Sequence, residues 1–91
     1  MRQSVKIIVA GEVQGVFYRQ STKEKATEIG IGGRVCNQED GTVQITATGT
    51  EDQLQQLIDW CHQGPRRAVV KKVQVEKIPY TPFDSFNIIR G

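Results

Sequence analysis

The chain has 91 residues, 37% of them apolar and 24% charged, a size and balance that suit one hydrophobic core and exclude a disordered chain or a second, regulatory domain. Its 12 basic and 10 acidic side chains are interspersed for a net charge of +2, so no basic tail or stripe marks a partner of nucleic acid or of an anionic membrane. No run has the length of a membrane span or the makeup of a signal peptide, and the expectation is a cytoplasmic protein, a monomer folded over residues 1–91 as a single domain.

Ser4 to Ala10 alternates, with Val5, Ile7 and Val9 on one face and Lys6 and Ile8 on the other, which predicts a strand that Gly11 ends. Beyond a loop, Arg19 to Gly30 carries Thr22, Ala26 and Ile29 at helical spacing, with Gly30 suited to a C-terminal cap. Gly33 to Asn37 and Thr42 to Thr48 are short strands joined through Gln38-Glu39-Asp40-Gly41, a hairpin whose Asp-Gly is a strong turn signal. In the second of these, Val43, Ile45 and Ala47 alternate with Thr42, Gln44, Thr46 and Thr48, which predicts one buried face and one wet face.

Thr50 and Gln53 have the spacing of a capping box, and Leu54, Leu57, Ile58 and Cys61 recur at i, i+3, i+4 and i+7 until Gly64-Pro65 stops the helix. Val69 to Ile78 is a strand whose apolar phase jumps between Val70 and Val73, the mark of a bulge. Phe86 and Ile88 close the chain as a short final strand. The order β-α-β-β-α-β plus that last strand predicts an α+β fold, a ferredoxin-like split βαβ sandwich with an antiparallel sheet and two helices on one face. Such a fold licenses no activity by itself, so function has to be sought in a site.

The loop Gly11 to Arg19 feeds a helix N-terminus, where backbone N–H groups lack partners and the helix dipole favours negative charge. Gly15 keeps a side chain out of the way of an anion there, and the Arg19 guanidinium can hold two phosphate oxygens at once. The plainer reading of Arg19 is a solvated residue that opens the helix. The loop is not a P-loop, since no Gly-Lys-Ser/Thr follows. Asn37, just before the hairpin turn, either bonds its own backbone or offers an uncharged carboxamide that accepts from a water beside an anion.

Gly11-x-Val13-Gln14-Gly15-Val16-x-Tyr18-Arg19, followed by Gly33-x-Val35-x-Asn37-x-x-Asp40-Gly41-x-Val43, resembles the paired signature of the acylphosphatases, and Gly49 and Gly64-Pro65 also fit that family. The resemblance spans nearly the whole chain. It implies a hydrolase that splits the carboxyl-phosphate bond of small acyl phosphates into a carboxylate and inorganic phosphate, with no metal and no cofactor. It further implies that Arg19 binds the phosphoryl group with the loop N–H groups of Gln14, Gly15, Val16, Phe17 and Tyr18, and that Asn37 positions the attacking water.

Two rival readings share the fold. One is a non-catalytic module that binds a phosphate-containing metabolite or a protein partner, which would need no aligned water. The other is an RNA binder of the RRM type, against which stands the Val, Ile, Thr and Gln makeup of strands that would have to stack bases. Strand alternation places Arg34 opposite Val35 and Asn37, as a solvated or packing residue. His62 ends a helix where a cation complements the dipole, Asp40 is a turn former, and no acidic or histidine cluster has metal-ligand spacing. Cys36 and Cys61 read as reduced thiols packed as small hydrophobes.

Overall fold

The apolar alternation of the first strand sorts the molecule into layers. In the computed structural model, which describes residues 1–90, β1 (Arg2–Glu12) buries Val5, Ile7 and Val9 on one face and leaves Lys6 and Ile8 half-buried on the other. The chain continues through α1 (Tyr18–Ile29), β2 (Gly32–Asn37), β3 (Val43–Thr50), α2 (Glu51–Cys61), β4 (Val69–Ile78) and β5 (Phe86–Ile89). The strands form a sheet in the order β4-β1-β3-β2-β5. Ile7 pairs with Val75 and Ile45, Ile45 with Val35, and Val35 with Ile88, so one apolar row crosses every strand. Ala26 of α1 and Leu54, Leu57 and Cys61 of α2 complete the core against that face.

The sheet is mixed, which corrects the expectation of a purely antiparallel one: β5 pairs with β2 in parallel, whereas the β1–β3, β1–β4 and β2–β3 pairs are antiparallel. The reason is the path of the chain. Strand β4 lies at one edge, and the following segment crosses to the other edge and starts β5 at the end of the sheet where β4 stops, so β5 has to run the way β2 runs.

That crossing segment also corrects the expectation of a wet second face. Thr46 and Thr48 are both buried, and Thr48 is covered by the segment of residues 79 to 85, which its hydroxyl bonds at Thr81. The Ser4 and Thr48 hydroxyls meet at 2.6 Å, Thr48 Oγ1 donates to the Thr81 carbonyl at 2.6 Å, and the Thr81 N–H donates to Ser4 Oγ at 2.8 Å. The buried Ser4 and Thr48 hydroxyls thus both have partners, as burial demands. Farther along, Arg34 sits 5.9 Å from the Phe83 ring centroid, a cation–π contact, and remains exposed, in keeping with the solvated or packing residue that strand alternation predicts.

Local signals end the helices where expected. The Thr50 hydroxyl accepts from the Gln53 N–H at 3.2 Å and Gln53 Oε1 accepts from the Thr50 N–H at 2.8 Å, a reciprocal cap worth about 1 kcal/mol. That cap starts α2; at the C-terminal end of α1 the Gly30 N–H bonds the Thr27 carbonyl and the Ile31 N–H the Ala26 carbonyl, the Schellman arrangement, with Gly30 at φ 97°. In β4 the pairing steps from Ala10↔Lys72 to Gly11↔Val70, leaving Lys71 as the extra residue of the bulge expected there. A Cβ on Gly11, at φ 131°, would run into the Val69 carbonyl, so this tight passage from β1 toward the loop is open to glycine only.

Candidate active site

Between β1 and α1 the backbone is shaped by two left-handed residues, Gly15 at φ 74° and Phe17 at φ 65°. Phe17 is the N-cap of α1, yet no side chain caps the helix and its first turn holds no acidic residue. By contrast, α2 has its capping box and Glu51 and Asp52 in the first turn. The first N–H groups of α1 are therefore left without the side-chain partners that close off α2, in the local geometry that suits an anion. A Cβ on Gly15 would meet nothing within 4 Å, so the room it leaves opens outward to the cavity.

Buried anchors on both sides hold this loop. Val13 is buried before it, and Val16 packs against the core from within it. Tyr18 is buried after it, with its ring centroid 5.5 Å from that of Trp60, its hydroxyl donating to the Cys61 carbonyl at 2.8 Å and its own carbonyl accepting from Thr22 Oγ1 at 2.7 Å. Burial, reinforced by the neighbouring Cys61, holds the Tyr18 hydroxyl protonated well above the ordinary phenol range. Arg19 follows this fixed residue directly and is half-buried.

The second half of the site comes from the β2–β3 hairpin. Asp40 Oδ1 accepts from the Thr42 N–H at 3.0 Å and from the Thr42 hydroxyl at 2.7 Å, which tightens the turn and holds the Asp40 carboxyl below its usual range. Asp40 is thus the turn former its sequence position predicts. Asn37 stands just ahead of this turn; among the described residues its Oδ1 is buried with no hydrogen-bond partner. Gln14 ties the two halves together, because its Nε2 donates to the carbonyls of Gln38 at 2.8 Å and Thr42 at 2.9 Å.

Arg19 and Asn37, far apart in sequence, line one cavity of about 440 Å³ together with Gly15, Phe17 and Tyr18. Gln14 and Val16 do not line it, since one side chain is spent on the hairpin and the other on the core. Gln20, next to Arg19, also lines it without having been singled out, as do two residues from the far edge of the sheet, Ile88 and Arg90. The signal for these last two is the parallel register of β5 beside β2, which no local pattern encodes. No Asp, Glu or His is among the described residues lining the cavity, so its polar chemistry is that of the Arg19 and Arg90 guanidinium groups, the Gln20 and Asn37 carboxamides and backbone, the Tyr18 hydroxyl being spent on the Cys61 carbonyl. His62 lies outside it, with Nδ1 3.0 Å from the Ile58 carbonyl at the end of α2, and Cys36 and Cys61 are free thiols.

A model of the acylphosphatase family matches residues 5–88. The chain belongs to the acylphosphatase family. Among its relatives, an acylphosphatase of Marinobacter nauticus is 51% identical over 82% of this chain and 82% of its own length. An acylphosphatase of a Synechococcus species is 41% identical over 97% of this chain and 98% of its own. The solved structure of an acylphosphatase from Coxiella burnetii superposes with a TM-score of 0.94 at 34% identity, covering 97% of this chain and 93% of that one. The protein is accordingly an enzyme, an acylphosphatase that acts on small acyl phosphates, and the non-catalytic module is not favoured. Among the described residues no helix is long and apolar enough to cross a membrane.

Proposed function

We propose that Arg19 and the loop N–H groups, foremost those of Gly15, Phe17 and Tyr18 that line the cavity, bind the phosphoryl group of the acyl phosphate, and that Asn37 holds the water that attacks it. The observation that carries this reading is the meeting of Arg19 with Asn37 in one cavity, where the Asn37 carboxamide has a buried oxygen without a partner. A buried acceptor left unpaired is costly, and a water donating to it recovers that cost while standing beside the anion. With its oxygen turned to the water, the carboxamide has its amide N–H₂ left to donate to a phosphoryl oxygen.

In the step itself, the water oxygen forms a bond to phosphorus as the bond between phosphorus and the acyl oxygen breaks. The bonding electrons leave with the carboxylate, and the proton of the water passes to a phosphoryl oxygen, so the products are a carboxylate and inorganic phosphate. A carboxylate is a weak base and departs without a general acid. What remains is positioning and the charge on the transferred oxygens, which Arg19 and the preorganised N–H groups stabilise. No metal and no cofactor enters this scheme. The chain works as a cytoplasmic monomer in this reading, and its free thiols suit a reducing compartment.

The test is hydrolysis of benzoyl phosphate, followed by its absorbance, with a chelator present and Arg19→Ala beside the parent. Turnover that survives the chelator and falls about 10³-fold in the variant is expected. A folded Arg19→Ala protein that turns over as fast as the parent would contradict the assignment.

A further inference from the structure

We propose that Arg90 is a second cation of the phosphoryl site and gives it a preference for dianionic over monoanionic tetrahedral groups. This rests on the reading of Arg19 and Asn37 given above. The placement follows from the sheet. Strand β5 runs parallel to β2 with Val35 beside Ile88 and Cys36 beside Ile89, where β5 ends; Asn37 and Arg90 are each the next residue along, and both line the cavity. Side chains alternate along a strand, so Arg90 leaves on the side of Ile88, and Asn37 on the side of Val35, both toward the helix-covered face. Arg90, Ile88, Asn37 and Arg19 all line the same cavity, so the two guanidinium groups approach it from different elements.

Charge balance says what the second guanidinium does. A phosphoryl group near neutral pH carries close to two negative charges. Arg19 supplies one positive charge and the N-terminus of α1 about half of another, which leaves a dianion short of compensation by roughly half a charge. Arg90 closes that deficit, and no carboxylate among the described lining residues opposes it. Its side chain is exposed at the rim, where water weakens the attraction, so the effect is moderate and sensitive to salt.

The test uses ions of fixed charge so that no protein group has to titrate. Sulfate is a tetrahedral dianion and methyl sulfate its monoanionic ester; binding of each is measured directly by calorimetry at low salt to the parent, Arg90→Gln and Arg90→Lys. Coulomb attraction scales with the charge on the ion, so the loss caused by Arg90→Gln should be about squared for the dianion: about threefold for methyl sulfate and about tenfold for sulfate. Arg90→Lys should recover most of both. Equal losses for the two ions would mean a packing or hydrogen-bond role and would overturn the inference, as would no loss at all. Benzoyl phosphate turnover by the same parent sample keeps the two readings apart: binding with the expected charge dependence but no turnover would sink the hydrolytic reading alone, and turnover without charge-dependent binding would sink the role of Arg90 alone.

Discussion

Gln14 and Gln38 are joined by a 2.8 Å hydrogen bond from the side-chain amide of one to the main-chain carbonyl of the other, and this bond fastens the anion loop to the hairpin that carries Asn37. With the companion bond to the Thr42 carbonyl at 2.9 Å, both amide protons of Gln14 are committed. This one side chain thus bridges directly the loop that holds the phosphoryl and the hairpin that holds the water, in addition to the sheet that joins them.

Gln14→Ala should cost about 1 kcal/mol of stability, because the two carbonyls keep their hairpin N–H partners and lose only the side-chain bonds. Its effect on turnover should be larger, a fall of about tenfold in kcat with phosphate inhibition nearly unchanged, since misplacing the water slows attack without weakening the anion site. Denaturant midpoints and steady-state kinetics on benzoyl phosphate check both. Equal losses in kcat and in phosphate affinity would show that Gln14 shapes the anion loop and not the spacing to Asn37.

Ser4→Ala removes the hydroxyl that accepts from the Thr81 N–H and meets Thr48 Oγ1 beneath the segment crossing the sheet. Two buried polar groups lose a partner, and the expected cost is about 1–3 kcal/mol. The cavity lies on the other face of the sheet, so kcat/KM should stay within about twofold of the parent at a temperature where the variant is folded. Chemical denaturation and the benzoyl phosphate assay check the two halves of this expectation.

Stability should decline in alkali through Cys61 and Tyr18. Burial pushes the Cys61 thiol from about 9 up to about 12 and pushes the Tyr18 hydroxyl up as well, so the folded state keeps protons that the unfolded chain releases. Below about pH 9 both states hold the thiol proton and this contribution is fully present; between about 9 and about 12 it is lost, at up to about 1.4 kcal/mol per pH unit for one group. Cys61→Ala should flatten that decline relative to a Cys36→Ala control, read from denaturant midpoints across the range. Parallel declines in the two variants would contradict it.

What could be read from residues alone was local. Thr50 with Gln53 and Gly30 after Ile29 identify helix ends because their partners lie within a turn, and the apolar phase jump between Val70 and Val73 marks the Lys71 bulge for the same reason. Arg19 and Asn37 were legible as candidates from their chemistry and from the paired signature, while their meeting in one cavity needed the fold. The parallel seat of β5, the cover over Thr48 and the arrival of Arg90 at the cavity that Asn37 lines all depend on where residues 79 to 85 cross the sheet. Nothing in the spacing of that segment records its path, because its contacts lie with residues more than thirty positions away, Thr48 with Thr81 and Ser4 with Thr81.

The most direct test of the two-part site is Asn37→Ala, with kcat on benzoyl phosphate and inhibition by inorganic phosphate measured on the same folded sample. Binding by Arg19 and the loop, with a water held by Asn37, predicts that kcat falls by about 10²-fold or more while the phosphate inhibition constant changes by less than about threefold. Turnover comparable to the parent, or losses of equal size in both quantities, would contradict the division of labour between Arg19 and Asn37.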